Sequence, residues 1–359
     1  SSSRFEIQKV EPTLNWNDPA GLLESFTLSV SDRLMSDVPV GIVLSGGLDS
    51  SLVCAVAREA AEIAEQPVPA CWTVAESEDN PDWQAAEVVT SSLDLEHHQH
   101  ILDPDTFHSK LPDLAWHGED LDVTVLFFQP LFSKMSESVT VGLCGQGADE
   151  LHAGYPRYRD LSKHCKEIQN RLDDMNCNLE NLEGESWWSS NHSPQNHTKS
   201  LKDFLQFELD HGQLSNFQLR LVDRHSMAHS LEVRVPFLGS RHRDASNKLP
   251  MDWRLPSSLE EKAALRSAAE LTSLPNEIIR RPKLPAGRAT SPRMIDSLLE
   301  ELSPYVNKIA KRYPELERAL IKQPEISIGL GLFEAMHILD GGTNKKSGDV
   351  SSLLDEVVG

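Results

Sequence analysis

A short apolar run that breaks on a serine and two glycines, Val38 to Ser51 (VPVGIVLSGGLDSS), constrains this chain more than any other stretch. Val40, Gly41, Ile42, Val43 and Leu44 are too few for a globular helix and read as a buried strand ending at Ser45-Gly46-Gly47. A helix is expected from near Asp49. Adjacent glycines let the backbone pass close to a bulky anion, and Ser45, Ser50, Ser51 and the first N–H groups of the helix supply donors where its dipole is positive. That is a phosphate cradle. Asp49 adds a condition, because a carboxylate among anion donors repels phosphate unless it holds a metal ion that bridges to it. The plain alternative is a strand-turn-helix corner whose glycines only permit tight packing; Ser-Gly-Gly-Leu-Asp-Ser-Ser directly after a strand favours phosphate.

With 359 residues the chain can bury a large core, as one α/β domain or as two lobes. A formal charge of -21 argues against a nucleic-acid or anionic-membrane surface, since either needs clustered Lys and Arg. The sequence shows neither a signal-peptide pattern nor an apolar run of about 18 residues, so a cytoplasmic protein is expected. Cys54, Cys71, Cys144, Cys165 and Cys177 are scattered without Cys-x-x-Cys spacing and suggest neither a disulfide framework nor a zinc site.

Along the chain, residues 1–19 read as a linker, and Ala20 to Met35 as a helix feeding the first strand. Helix Ser50 to Ala64, strand Pro69 to Ala75, a helix from about Asp82 to Leu93 and a strand His97 to Leu102 follow. Ligands of such sheets sit at the carboxyl ends of strands, so backbone groups of Thr73, Val74 and Ala75 either flank an adenine ring or are ordinary strand-end core. His97, His98 and His100 have no nearby acidic or Cys partner, and a metal role is not expected. Gly118 to Phe128 reads as a loop entering a helix, with Glu119, Asp120 and Asp122 solvated and a substrate contact from Asp122, Val123 or Thr124 left open.

Val139 to Cys144 is the fourth strand, ending in Gly145-Gln146-Gly147-Ala148-Asp149-Glu150. This repeats the first loop's logic. An acid opposite Asp49 would let magnesium be held from both sides, with a triphosphate completing its shell, and Asp149 is the candidate. Otherwise Asp149 and Glu150 simply begin a helix, where acids suit the dipole. The polar stretch Asn176 to Ser200, with Trp187 and Trp188, reads as an excursion. Beyond it helices are expected over Leu201 to Asp210, Leu214 to Leu231, Ser257 to Leu271 and several between Met294 and Leu339, with a flexible tail over 341–359.

The first loop resembles the pyrophosphate-binding loop of the ATP pyrophosphatases and lacks the Gly-x-x-x-x-Gly-Lys-Ser/Thr spacing of P-loop enzymes. Gly-Gln-Gly-Ala-Asp-Glu-Leu with Gly154-Tyr155-Pro156-Arg157-Tyr158 narrows the resemblance to the asparagine synthetase family, which also contains β-lactam synthetases. Leu34 to Pro39, Asp223 to Ala228 and Glu232 to Leu238 are similar to further motifs of that family, so the likeness runs from Met35 to Lys283.

The resemblance implies a parallel sheet of the adenine-nucleotide α-hydrolase type flanked by helices, with a helical carboxyl-terminal lobe. It implies a synthetase domain over 20–340, its nucleotide-binding part about 20–160 and its helical part about 200–340. ATP and magnesium are implied as cofactors, with a small amino acid as substrate. A carboxylate, most often the aspartate side chain, would attack the α-phosphate of ATP, and ammonia or an amine would then displace AMP. Asp49 and Asp149 would hold the metal, while Leu44, Ser45, Gly46, Gly47, Asp49, Ser50, Ser51, Val74 and Gly145 would bind ATP and pyrophosphate. Lys262 and Lys283 match the family's two lysines, suited to negative charge developing on oxygen; without that match they read as a solvated helix end and a turn.

Three departures stand out. Nothing before Ala20 could be the glutaminase domain of glutamine-using family members, so ammonia would come from solution, a separate glutaminase subunit or a domain outside this sequence, unless another amine is used. Gln146 stands where asparagine synthetases commonly have Glu and β-lactam synthetases Tyr; an amide can orient substrate but cannot act as a general base. Gly239 replaces an acid that often follows Pro-Phe-Leu. An enzyme acting on another carboxylate and amine, or a catalytically silent nucleotide-binding subunit, are the competing readings, and a homodimer is left open.

Overall fold

The computed structural model describes residues 18–175, 177, 187–188, 194–255, 260–284, 289–343, 345–346 and 348–359; the linker expected before Asp18 and most of the 176–200 excursion lie outside them. Five parallel strands, β1 (Val40–Val43), β2 (Ala70–Ala75), β3 (His97–Ile101), β4 (Val141–Leu143) and β5 (Glu232–Arg234), lie in the order β3-β2-β1-β4-β5. The central strands read as continuous apolar runs because both faces of the sheet are covered. Alternation along a strand sorts its side chains: Cys71 and Ile42 point into one apolar core, Trp72 and Val74 into the other.

The first core is roofed by helices α1 (Pro19–Leu34), α2 (Leu48–Ala64) and α3 (Pro81–Leu93). Leu22, Phe26, Val30 and Leu34 recur every fourth residue along α1 and are all fully buried. The β4 side then adds α4 (Ala148–His152) and, beyond α5 (Leu219–Met227), whose Leu221 and Val222 join the second core, α6 (Ala263–Ala269). The second core takes in α7 (Pro292–Arg312), α8 (Pro324–Phe333) and α9 (Val350–Val358), so the carboxyl-terminal helices close over the sheet's other face.

Two expectations change here. The helix expected over Leu214 to Leu231 gives way to a π-type turn, then α5, and the chain reverses at Ser230 (φ +57) into β5, which pairs with β4 from Val141↔Glu232 to Leu143↔Arg234. Residues 341–359, expected as a flexible tail, instead carry α9: Asp349 caps it by accepting from the Ser352 amide at 2.9 Å, and Leu353, Leu354 and Val357 are buried.

Gly239 also gains a reason. A β-carbon there would lie 2.0 Å from Ser29 Oγ, whose hydroxyl donates to Pro236 O at 2.6 Å, so no side chain fits between this turn and α1. The histidines of β3 serve the sheet edge. His97 lies between Thr73 (2.9 Å) and Thr90 (3.1 Å), and His98 stacks on Trp72 with centroids 4.5 Å apart.

The chain leaves β1 toward β2 on one side and returns as β4 on the other, so the strand order reverses between β1 and β4. In open α/β sheets a crevice forms at such a point, beyond the carboxyl ends of the strands. Both glycine-containing loops open there.

Candidate active site

Leu44 is still tied to the sheet, its amide donating to Trp72 O at 2.9 Å and its carbonyl accepting from Thr73 Oγ1 at 2.7 Å. The turn that follows is held by its own serines. Ser45 N donates to Ser50 Oγ at 3.2 Å, the two hydroxyls lie 3.1 Å apart, and Ser50 Oγ donates to Gly47 O at 3.2 Å. Gly46 has φ +69, and a β-carbon on it would lie 2.5 Å from Ala85 Cβ of α3. Gly47 is the N-cap of α2 without a side-chain bond to the helix, leaving the first amides of a 17-residue helix open to an anion.

The loop after β4 packs against this one. A β-carbon on Gly145 would come within 3.0 Å of Asp49 Cβ and Ser50 N, and Gly147 (φ +89) fits under Leu238. The loop delivers Asp149, 6% exposed, on the first turn of α4.

Four charges then meet. Lys262 Nζ lies 2.6 and 2.7 Å from the two carboxylate oxygens of Asp49 and 2.7 Å from Asp149 Oδ1. Lys283 Nζ lies 2.9 Å from Asp149 Oδ2 and 3.8 Å from Asp49 Oδ2. Burial alone would raise the Asp149 carboxyl, but Lys262 and then Lys283 outweigh it and hold it below its ordinary range. Burial would lower Lys283; Asp149 and Asp49 outweigh that and hold its ammonium above its usual value. Lys262 adopts φ +59 at the start of α6, a left-handed backbone that costs a non-glycine residue about 1–2 kcal/mol.

A β-carbon on Gly154 would sit 2.0 Å from Lys262 Cε and 2.2 Å from Asp149 Oδ1, so the ion pair exists only because this residue has no side chain. Beside Asp149, the Glu150 carboxyl is fully buried, with no hydrogen-bond partner for either oxygen among the described residues. Burial and then the Asp149 charge push it up to about 8. The cleft in front of the quartet is lined by Ser45, Gly47, Asp49, Ser50, Lys262 and Lys283, together with Leu48, Asp82, Arg266, Arg281, Pro282 and Leu284.

The asparagine synthase family profile matches residues 21–327. The chain belongs to the asparagine synthase family. It is 29% identical to a glutamine-hydrolysing asparagine synthetase of Bos taurus over 287 residues, 78% of this chain and 43% of that protein. The Mus musculus counterpart is 30% identical over 72% of this chain and 41% of its own length. A Bacillus subtilis asparagine synthetase is 27% identical over 71% of this chain and 47% of its own. This family member thus spans less than half the length of these curated relatives.

Of the family motif positions, Gln146 is half-buried and Gly145 packs against the first loop, and neither lines the cleft. Val74 is 5% exposed within the core, and the Ser51 hydroxyl is fully buried beneath the loop, so neither side chain lines it either. Asp82, Gly154, Arg266 and Arg281 are the residues sequence reasoning passed over. Gly154 lay in a quoted motif, and Arg281 stands two residues before Lys283.

The acids of this family member fit a divalent cation in part. Two hard oxygen donors converge on one point, where Lys262 Nζ now stands, but no group of three His, Cys, Asp or Glu side chains positioned to hold a metal occurs among the described residues. Magnesium usually binds through one or two carboxylates and completes its shell with water and substrate phosphates. Among the described residues no helix is long and apolar enough to cross a membrane.

Proposed function

We propose that this chain forms an amide through an acyl-adenylate: a carboxylate, taken to be the aspartate side chain, attacks the α-phosphate of ATP, and ammonia or an amine then displaces AMP. The observation that carries this reading is the meeting of Asp49 and Asp149, from loops after neighbouring strands, at a single ammonium. A bound magnesium ion would supply Lewis-acid neutralisation of the triphosphate, and Asp49 and Asp149 would be its protein ligands.

The remaining roles fall to the chain itself. Ser45, Gly47, Ser50 and the open amides of α2 receive the pyrophosphate. Lys262 and Lys283 stabilise charge on the leaving oxygens in a site whose acids already fix them in place. Gln146, an amide set back from the cleft, cannot act as the base, and the amine loses its proton to another group or to water.

Incubation with ATP, magnesium, aspartate and ammonium should release AMP and pyrophosphate in an aspartate-dependent way. Release only with another carboxylate would move the substrate assignment. ADP and phosphate, or no nucleotide cleavage with any acid, would sink the reading. Adding a separate glutaminase with glutamine tests that source of ammonia.

A further inference from the structure

We propose that Asp82, with Asn80 beside it, is a positioning residue for Lys283. This rests on the function proposed above, since it concerns how that lysine is presented to the reacting oxygens.

Lys283 follows α6 in residues 280–284, which contain no helix or strand beyond Arg280, and its side chain is 27% exposed. Its place must be fixed by neighbours. Two residues earlier, Arg281 Nη2 donates to Asp82 Oδ1 at 2.7 Å and Nη1 to Ser45 O at 3.4 Å, joining this segment to α3 and to the first loop. Farther along, Asn80 Nδ2 donates to Ala289 O at 2.9 Å and Thr290 O at 3.3 Å. The same turn therefore grips the chain before and after Lys283.

The sequence offers a simpler use for these residues, as the start of α3. Asn80 fulfils it: its Oδ1 accepts from the Asp82 amide at 2.8 Å, which caps the helix. Asp82 is left over. Acids in a first turn are ordinarily solvated, yet this one is 5% exposed and turned to Arg281. Burial raises its carboxyl, and Arg281 and then Lys283 draw it back, so the lysine's charge also faces it. Removing the carboxylate leaves the Arg281 guanidinium only its 3.4 Å contact with Ser45 O and, through the short chain between them, loosens the backbone that presents Lys283 to Asp149.

The test compares wild type with Asp82→Asn and Asp82→Glu in two assays. Pulse acylation with acetic anhydride, read by peptide mass spectrometry against exposed Lys134, should mark Lys283 about fivefold faster in Asp82→Asn, and near the wild-type rate in Asp82→Glu. In AMP release, kcat of Asp82→Asn should fall about 10²-fold with KM for ATP within about threefold, and Asp82→Glu should recover most of it. Unchanged Lys283 acylation in Asp82→Asn, or equal impairment of both variants, overturns the proposal. The acylation assay needs no turnover, so a wild-type protein that never releases AMP removes the synthetase reading while still judging the clamp. Should Asp82→Asn not fold, Arg281→Gln breaks the same pair from the other side, with the same expectation.

Discussion

The loops that leave β1 and β4 share a plan: a strand end, two glycines, and a helix with an aspartate in its first turn. In the first, Ser45, Gly47 and Ser50 face the cleft, and Gly46 is pressed against α3. In the second, Gly145 backs onto the first loop, Gly147 fits under Leu238, and what the loop delivers is the buried Asp149 carboxylate, set against the two lysines of the cleft wall. One loop faces the open cleft; the other braces it and delivers a charge. Glycines in both answer to packing neighbours as much as to any anion.

The largest effect expected from this difference lies in the two aspartates. Asp49→Asn and Asp149→Asn should each lower AMP release by about 10³-fold. Asp149→Asn should also destabilise the fold more than Asp49→Asn, by about 3 kcal/mol in urea denaturation, because either change leaves buried Lys262 half-neutralised but only the first takes from Lys283 its close 2.9 Å partner. Equal loss of stability in both variants would break the comparison. Next comes Gly46→Ala, whose β-carbon meets Ala85 at a backbone of φ +69; a cost of about 2–4 kcal/mol is expected in the same measurement.

A third test uses acid. Helix α4 ends at His152, whose Nε2 lies 2.9 Å from His242 Nε2 in a fully buried pair. Burial depresses His242 to about 3, and burial with the charges of His242, Arg254 and Lys262 pushes His152 well below its ordinary value. An unfolded histidine titrates near 6.5, so between about 6.5 and about 3 the unfolded chain binds more protons and stability is lost as pH is lowered. Hydrogen exchange should show protection of the Ala148–His152 amides falling more than that of the first turns of α2 between about pH 7 and about pH 5. Equal losses would say that the pair does not load the second loop selectively. The smallest effect is Gly47→Ala, whose β-carbon meets nothing closer than Ser45 Oγ at 3.4 Å; its stability should change by under about 1 kcal/mol.

Much of this arrangement could be read from the chain before its coordinates. β1, β2 and β4 announce themselves because buried parallel strands are short apolar runs, and a strand that stops on glycine beside serine and aspartate names its own crevice. β5 is hidden: Glu232-Val233-Arg234 is only three residues long, too short for its apolar/polar alternation to stand out, and β4 beside it makes it a strand. Helix α9 was obscured by the Gly-Gly-Thr before it, although Asp349-Val350-Ser351-Ser352-Leu353-Leu354 carries a cap and an apolar stripe. Lys262 and Lys283 are legible only through family resemblance, since a lone lysine carries no local pattern and these are brought in by long-range packing. Asp82 looks like any helix-start acid, and its partner lies 199 positions away.

The quartet has a practical consequence for handling the molecule. Because Asp49 and Asp149 already have Lys262 and Lys283 as counter-ions, the crevice carries its own internal salt and needs no bound metal to stay assembled. A chelator should therefore silence turnover while leaving Tm where it was.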